Sequence, residues 1–125
     1  MRRKIELEYI FSSSVKVLYS RLSTAVGLSE WFADDVFQKG EHFVFIWNGV
    51  EHVATLIEAK PNSHVYFRWN DAEDEEEYFG FKIQVEPLTG DVALIITDFA
   101  DEDEVNDTIE LWNKQMDILH RNLGA

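Results

Sequence analysis

Two acidic runs are the first candidates for chemistry in this sequence, because clustered carboxylates are the groups that bind calcium in proteins. They read "DAEDEEE" at residues 71–77 and "DEDEVND" at residues 101–107. An EF-hand calcium loop needs a glycine at its sixth position and helices on both sides. The first run has no glycine, and the second has Val105 where a ligand is required. The sequence therefore predicts no metal site and no cofactor, and leaves open only weak, adventitious cation binding.

The surroundings of the two runs suggest structural roles instead. Aromatic, strand-like segments flank the first run on both sides, so residues 71–77 are predicted to be the solvated tip of a hairpin. The second run is predicted to lie in the first turns of the last helix. Negative charge is stabilising there, because it opposes the positive end of the helix dipole.

The other polar residues show no catalytic pattern. The chain has no cysteine, which excludes disulfides, thiolate metal sites and cysteine nucleophiles. His42, His52, His64 and His120 lack the spacing of a zinc motif, which leaves open only a two-histidine site across neighbouring strands. The sequence also lacks a Gly-x-Ser-x-Gly motif, a phosphate-binding loop and a dinucleotide fingerprint. No catalytic residue is predicted, and the protein is expected not to be a classical enzyme.

Asp98 is the one polar residue whose position could change that expectation. It ends an otherwise apolar strand, "VALIIT". If Leu94 and Ile96 face the core, then Asp98 does too, because alternate strand residues share a face. Both faces of this strand are apolar, so periodicity does not decide the orientation. An inward carboxylate beside a pocket, with a raised pKa, would favour an enzyme.

Large apolar side chains recur at every second position in three segments, which places them on one face of three predicted strands. The three sets are Phe43, Phe45 and Trp47, then Val65, Phe67 and Trp69, then Phe79, Phe81, Ile83 and Val85. Two interpretations remain open. The rings either pack solidly against a helix, or they line a cavity for an apolar ligand.

The composition limits the partners that this chain can have. It has 125 residues, a net charge of −13 and 46% hydrophobic residues, which indicates one folded domain, here taken as residues 1–125. So much negative charge repels phosphate backbones and anionic lipid surfaces, so neither nucleic acid nor membrane is an expected partner. The sequence shows no signal peptide and no apolar span, and the expected location is the cytoplasm.

The order of predicted elements is a strand over residues 3–11, two short helices, about six antiparallel strands and one long helix. Gly27 is expected to kink the second short helix, and "NG" at 48–49 predicts a tight hairpin. Asp101 and Glu104 have the spacing of a capping box at the start of the last helix. That helix carries one apolar stripe, made of Val105, Ile109, Trp112, Met116, Leu119 and Leu123. The stripe must be buried on the sheet, which predicts an α+β fold.

The whole chain resembles the START-like helix-grip superfamily, also called the SRPBCC fold. The likeness rests on "SVKVLYSRLSTAVGLSEWF" with its closing Trp31 and Phe32, on Gly40 followed by "FVFIW", on "VYFRW" ending at Trp69, and on Trp112 in the last helix. It is strongest toward the branch that includes the activator of the ninety-kilodalton heat-shock chaperone's ATPase. The resemblance implies a curved antiparallel sheet wrapped around the C-terminal helix, with two short helices after the first strand.

The resemblance also favours a ligand cavity, since the superfamily commonly holds lipids, sterols, polyketides or hormones. We expect an apolar or amphipathic small molecule between the sheet and the last helix, entering near Trp31 and Phe32. The charge of the chain favours a neutral or cationic ligand, since the nearest basic residue, Arg68, is expected to point outward. A chaperone or another protein is the alternative partner. The resemblance also implies a third reading, a cyclase- or hydrolase-like enzyme of the same superfamily that uses Asp98 or a histidine with water. The predicted ligand-binding residues are Trp31, Phe32, Phe45, Trp47, Phe67, Trp69, Phe81, Asp98, Trp112 and Met116.

Overall fold

Seven antiparallel strands form a single sheet in the computed structural model, which describes residues 1–124. The spatial order is β1-β7-β6-β5-β4-β3-β2, so the first and last strands are neighbours and the others follow each other in sequence. The strands are β1 (Arg2–Phe11), β2 (Asp35–Lys39), β3 (His42–Trp47), β4 (Val50–Lys60), β5 (His64–Trp69), β6 (Phe79–Val85) and β7 (Val92–Asp101).

Two short helices follow the first strand, as the sequence predicted. They are α1 (Val15–Ser23) and α2 (Ala25–Ser29), and the side chains of Ser14 and Thr24 cap their N-termini. The expected kink at Gly27 is absent, because α2 is a single five-residue helix. Gly27 is buried where α2 crosses the end of α1. A Cβ atom there would overlap the carbonyl oxygen of Ser20, so the residue allows close packing rather than a bend.

The last helix begins later than the sequence suggested. Strand β7 continues to Asp101, one 3₁₀ turn follows at Glu102–Glu104, and α3 runs from Val105 to Leu123. Neither Asp101 nor Glu104 makes a side-chain capping bond, so the predicted capping box is wrong. Asp101 is held in extended conformation because it pairs with Arg2 of β1, and Glu102 donates its backbone N–H to the carbonyl of Met1 at 2.8 Å.

The core lies between the inner face of the sheet and the helices. Residues directly opposite each other in antiparallel strands share a face, and the register places Phe43 opposite Ala54, and Phe67 opposite Phe79. Trp112, Met116 and Leu119 of α3 are buried against this face, as the apolar stripe predicted. The α+β helix-grip architecture is therefore confirmed. Within residues 1–124, no helix combines the length and the apolar character needed to cross a membrane.

Candidate functional site

A cleft of about 920 Å³ opens at the N-terminal end of α3. Its walls come from α3, the end of β7, the β5–β6 loop at residues 70–78, and the hairpin between β3 and β4. Pockets that hold small molecules have volumes of roughly 300–1,000 Å³, so this cleft is large enough for one.

Four aromatic rings form the floor of the cleft: those of Phe32, Trp47, Trp69 and Trp112. The rings are contiguous. Trp69 lies 6.1 Å from Trp47, Trp47 lies 5.2 Å from Phe32, and Phe32 stacks on Trp112 at 5.7 Å, measured between ring centroids. Phe32 and Trp112 are buried, whereas Trp47 and Trp69 are half-buried. The floor is thus a continuous aromatic surface that remains partly open to solvent.

Polar groups fix the positions of these rings. The carbonyl oxygen of Phe32 accepts hydrogen bonds from the indole Nε1 of Trp47 at 2.9 Å and from the side-chain Nε2 of Gln115 at 3.0 Å. These two bonds tie the segment after α2 to strand β3 and to α3. A floor held by three different elements is rigid, which lowers the entropic cost of binding a ligand on it.

Asp98 faces inward. It lies opposite the buried Ile5 in the β1–β7 ladder and shares a face with Leu94 and Ile96, both fully buried. Its Oδ2 atom accepts a hydrogen bond from the indole Nε1 of Trp112 at 2.9 Å, and its Oδ1 atom accepts one from the N–H of Phe99 at 2.8 Å. The register therefore gives the orientation that periodicity left open.

The environment of Asp98 perturbs its ionisation. Burial raises the pKa of the Asp98 carboxyl above its ordinary value, and the nearby charge of Glu77 adds to this rise. The hydrogen bonds from Trp112 and Phe99 and the charge of Arg2 lower the pKa, but they do not cancel the effect of burial. Asp98 is thus a carboxyl that is costly to ionise, at the wall of a cleft.

Asp98→Asn is expected to change how stability depends on pH. The folded protein holds the Asp98 proton more tightly than the unfolded chain does, so this residue's contribution to stability is largest below the unfolded pKa of about 4 and falls as pH rises through the folded pKa. Asp98→Asn has no ionisable group at this position, so its stability does not decrease with pH in this way. At low pH it should be less stable than wild type by about 1 kcal/mol, because one amide oxygen cannot accept both bonds, and the gap should narrow as pH rises. Urea denaturation of both proteins between pH 3 and pH 8 measures the difference, and a gap that is constant or widens with pH would contradict the prediction.

The first acidic run does more than the sequence predicted. Its expected role was a solvated hairpin tip, but Asp71, Glu73, Asp74 and Glu77 line the cleft. The loop folds back because Glu77 forms an ion pair with Arg2 of β1, with Arg2 Nη2 2.7 Å and Nε 3.0 Å from the two carboxylate oxygens. The Glu77 side chain is only 15% exposed. A contact between residues 75 positions apart in sequence leaves no local signal.

The second acidic run also contributes to the wall, through Asp101 and Glu104. Carboxylate oxygens of Asp101, Asp103 and Glu104 lie within 4.8 Å of one another in the exposed turn before α3. Exposed carboxylates commonly cluster without binding an ion. No histidine lines the cleft within residues 1–124, although the ring of His52 lies 5.4 Å from that of Trp47 and 6.2 Å from that of Trp69. His120 stacks on Phe11 at 3.9 Å between ring centroids, and its ring nitrogens face two backbone carbonyls.

The structure divides the ten predicted ligand-binding residues into two groups. Five of them line the cleft: Phe32, Trp47, Trp69, Asp98 and Trp112. The other five are buried in the core and do not line it: Trp31, Phe45, Phe67, Phe81 and Met116. Trp31 is held in the core by its indole, which donates a hydrogen bond to the carbonyl of Arg21 at 2.7 Å.

Several cleft residues were not among the predicted ones. Arg2 and Tyr78 lie on one side, and Thr108, Leu111 and Gln115 lie along one face of α3. The three helix residues are spaced three and four positions apart, so helical periodicity could have grouped them with Trp112. Arg2 gave no signal, because it precedes the first recognisable alternation of the sequence.

Comparison with known proteins relates the whole chain to one superfamily. The family model of the START-like superfamily domain matches residues 1–125. The structure of BfR322 from Bacteroides fragilis is 38% identical, with a TM-score of 0.69 over 97% of this chain and 90% of that one. None of the curated proteins matches the sequence.

Two more distant structures share the fold. The Aha1 dimer from Colwellia psychrerythraea is 18% identical, with a TM-score of 0.81 over 97% of this chain and 96% of that one. DynU16, a putative protein in the dynemicin biosynthetic locus, is 15% identical, with a TM-score of 0.80 over 98% of this chain and 47% of that one. At these identities the likeness concerns the fold alone.

Proposed function

The chain belongs to the START-like superfamily, and we propose that it binds a small apolar or amphipathic molecule in the cleft between the sheet and α3, without transforming it. The observation that carries this proposal is the aromatic floor of the cleft. Trp47 and Trp69 keep part of their rings open to solvent beside a space of about 920 Å³. Burying apolar surface is worth roughly 25 cal/mol per Å², so a ligand that covers these rings is favoured over water.

The rest of the interior supports this location. Phe45, Phe67 and Phe81 are fully buried, and their rings contact other rings, as between Phe45 and Phe67 at 5.9 Å. The middle of the sheet is therefore closely packed. A ligand fits at the open end of the sheet, where the strands β3 and β5 end in tryptophans.

Asp98 favours a second candidate function, that of an enzyme of the cyclase or hydrolase kind. A half-buried carboxyl with a raised pKa at the wall of a cleft is suited to general acid or base catalysis. Two features argue against it. Both oxygens of Asp98 already accept hydrogen bonds, and no histidine, serine or lysine lines the cleft to serve as its partner among residues 1–124. A chaperone partner is the weaker alternative, because the 18% identity to Aha1 concerns the fold alone.

Native mass spectrometry of freshly purified protein tests the proposal. We expect a population heavier than the bare chain by the mass of one small molecule, which solvent extraction then releases for identification. The extracted compound is next incubated with wild type and with Asp98→Asn. An unchanged compound supports binding, whereas conversion by wild type alone supports the enzyme. No adduct, together with no thermal shift across a panel of amphipathic compounds, would contradict both functions.

A further inference from the structure

The charged side chains that line the cleft are almost all acidic. Arg2 is the only cationic side chain that lines it within residues 1–124. Arg2 is already paired with Glu77 through three hydrogen bonds, and a second carboxylate, that of Asp101, lies 3.7 Å away. Beyond Glu77, the carboxylates that line the cleft are those of Asp71, Glu73, Asp74, Asp98, Asp101 and Glu104. Among the described residues, the cleft therefore offers no unpaired cation to an anionic group, whereas several carboxylates line it together with the aromatic floor.

The floor itself also attracts positive charge. The face of an aromatic ring carries negative electrostatic potential, and tryptophan binds cations better than tyrosine or phenylalanine does. Trp47 and Trp69 are half-buried, with their ring planes inclined at 60° to each other. Phe79 stacks on Trp69 at 4.6 Å between ring centroids, so an ammonium group in the cleft meets the ring surface that the two tryptophans keep open. The carboxylates that line the same cleft add Coulomb attraction in a site partly screened from water.

The aromatic floor and the carboxylate wall together select one class of ligand. A metal ion gains nothing from apolar rings, and an anion would meet uncompensated carboxylates. We infer that the cleft binds an organic cation, an amine or quaternary ammonium group carried on an apolar body. This inference rests on the proposed function, because it assumes that the cleft is the ligand site. The apolar body lies on the rings, and the cationic group lies near the carboxylates of the acidic loop.

A matched series of three probes tests this inference: phenylbutylamine, phenylbutanol and phenylbutyrate. They share one apolar body and differ in charge at neutral pH. We expect the amine to bind about tenfold more tightly than the alcohol, since a partly desolvated cation–π contact is worth about 1–2 kcal/mol, and the carboxylate to bind most weakly. NMR titrations that follow the indole N–H resonances of the tryptophans locate the site. Those of Trp47 and Trp112 should shift, while that of the buried Trp31 should not.

Two double variants provide a matched control. Glu73→Gln with Glu104→Gln removes two charges from the wall of the cleft, and neither side chain makes a hydrogen bond or ion pair within the described residues. Glu75→Gln with Glu76→Gln removes the same charge from residues that do not line the cleft. We expect the first pair to weaken amine binding about fivefold and to leave alcohol binding unchanged, and the second pair to change amine binding less than about twofold.

The outcomes separate the inference from the function on which it rests. Equal affinity of the three probes, with shifts at Trp47 and Trp112, would overturn the preference for a cation and keep the proposed ligand cleft. Equal losses in the two double variants would show that only the overall charge of the protein matters, and would also overturn the inference. Binding of none of the probes at millimolar concentration would overturn the inference and the proposed function together.

Discussion

Phe32→Ala is expected to lower the free energy of unfolding by about 4 kcal/mol, because truncating a buried phenylalanine typically costs 3–5 kcal/mol. Phe32 is only 4% exposed and packs against rings from the sheet and from α3. Ring centroids lie 5.1 Å away at Phe45, 5.7 Å at Trp112 and 5.9 Å at Phe79. The substitution would also open a hole in the floor of the cleft. Urea denaturation measures the loss of stability.

Phe37→Ala provides the matched control for this substitution. Phe37 is the same residue type, lies on the edge strand β2 and is 54% exposed, so its truncation should cost less than about 1 kcal/mol. If Phe32→Ala does not fold, Phe32→Leu keeps most of the apolar volume and should cost about 1–1.5 kcal/mol. Similar losses for Phe32→Ala and Phe37→Ala would show that the floor of the cleft is not part of the packed core.

The sequence predicted the fold because the fold follows from periodic patterns. Alternation in the strands and one stripe on the last helix each determine which side chains are buried, and only one arrangement buries them all. The predicted start of α3 was wrong because it ignored a contact that is distant in sequence. A capping box at Asp101 and Glu104 is locally consistent, but the ladder to β1 holds Asp101 in a strand. Pairing between chain ends more than 90 residues apart is not visible in a short window of sequence.

The candidate site could be predicted only in part. Periodicity shows which face of a strand is buried, but not how far along the sheet a residue lies. Phe45 and Phe67 lie in the middle of their strands and are fully packed, whereas Trp47 and Trp69 share their faces but end the strands and reach the cleft. The acidic loop is held at the cleft by the ion pair of Glu77 with Arg2, the second residue of the chain, and by a hydrogen bond from Arg68 to the Glu77 carbonyl. No sequence pattern indicates the contact with Arg2.

Thr108→Trp is expected to abolish ligand binding while leaving the protein folded. Thr108 is half-exposed and lines the cleft one helical turn before Trp112 on α3, so an indole at this position would occupy the space that the ligand needs. Threonine and tryptophan have similar helix propensities, and the unfolding free energy should change by no more than about 1 kcal/mol. The affinity for phenylbutylamine should fall by about 100-fold, equivalent to about 2.7 kcal/mol, and the adduct should disappear from the native mass spectrum.

Asn106→Trp is the control for this last substitution. Asn106 is exposed, lies on the same helix two residues away, and does not line the cleft. Two residues correspond to a rotation of about 200° around the helix, so this indole would point away from the ligand. It adds the same side chain without changing the charge, and binding should stay within about twofold of wild type. Retained binding in a folded Thr108→Trp variant would place the ligand elsewhere, whereas equal losses in both variants would trace the effect to α3 itself rather than to the space beside it.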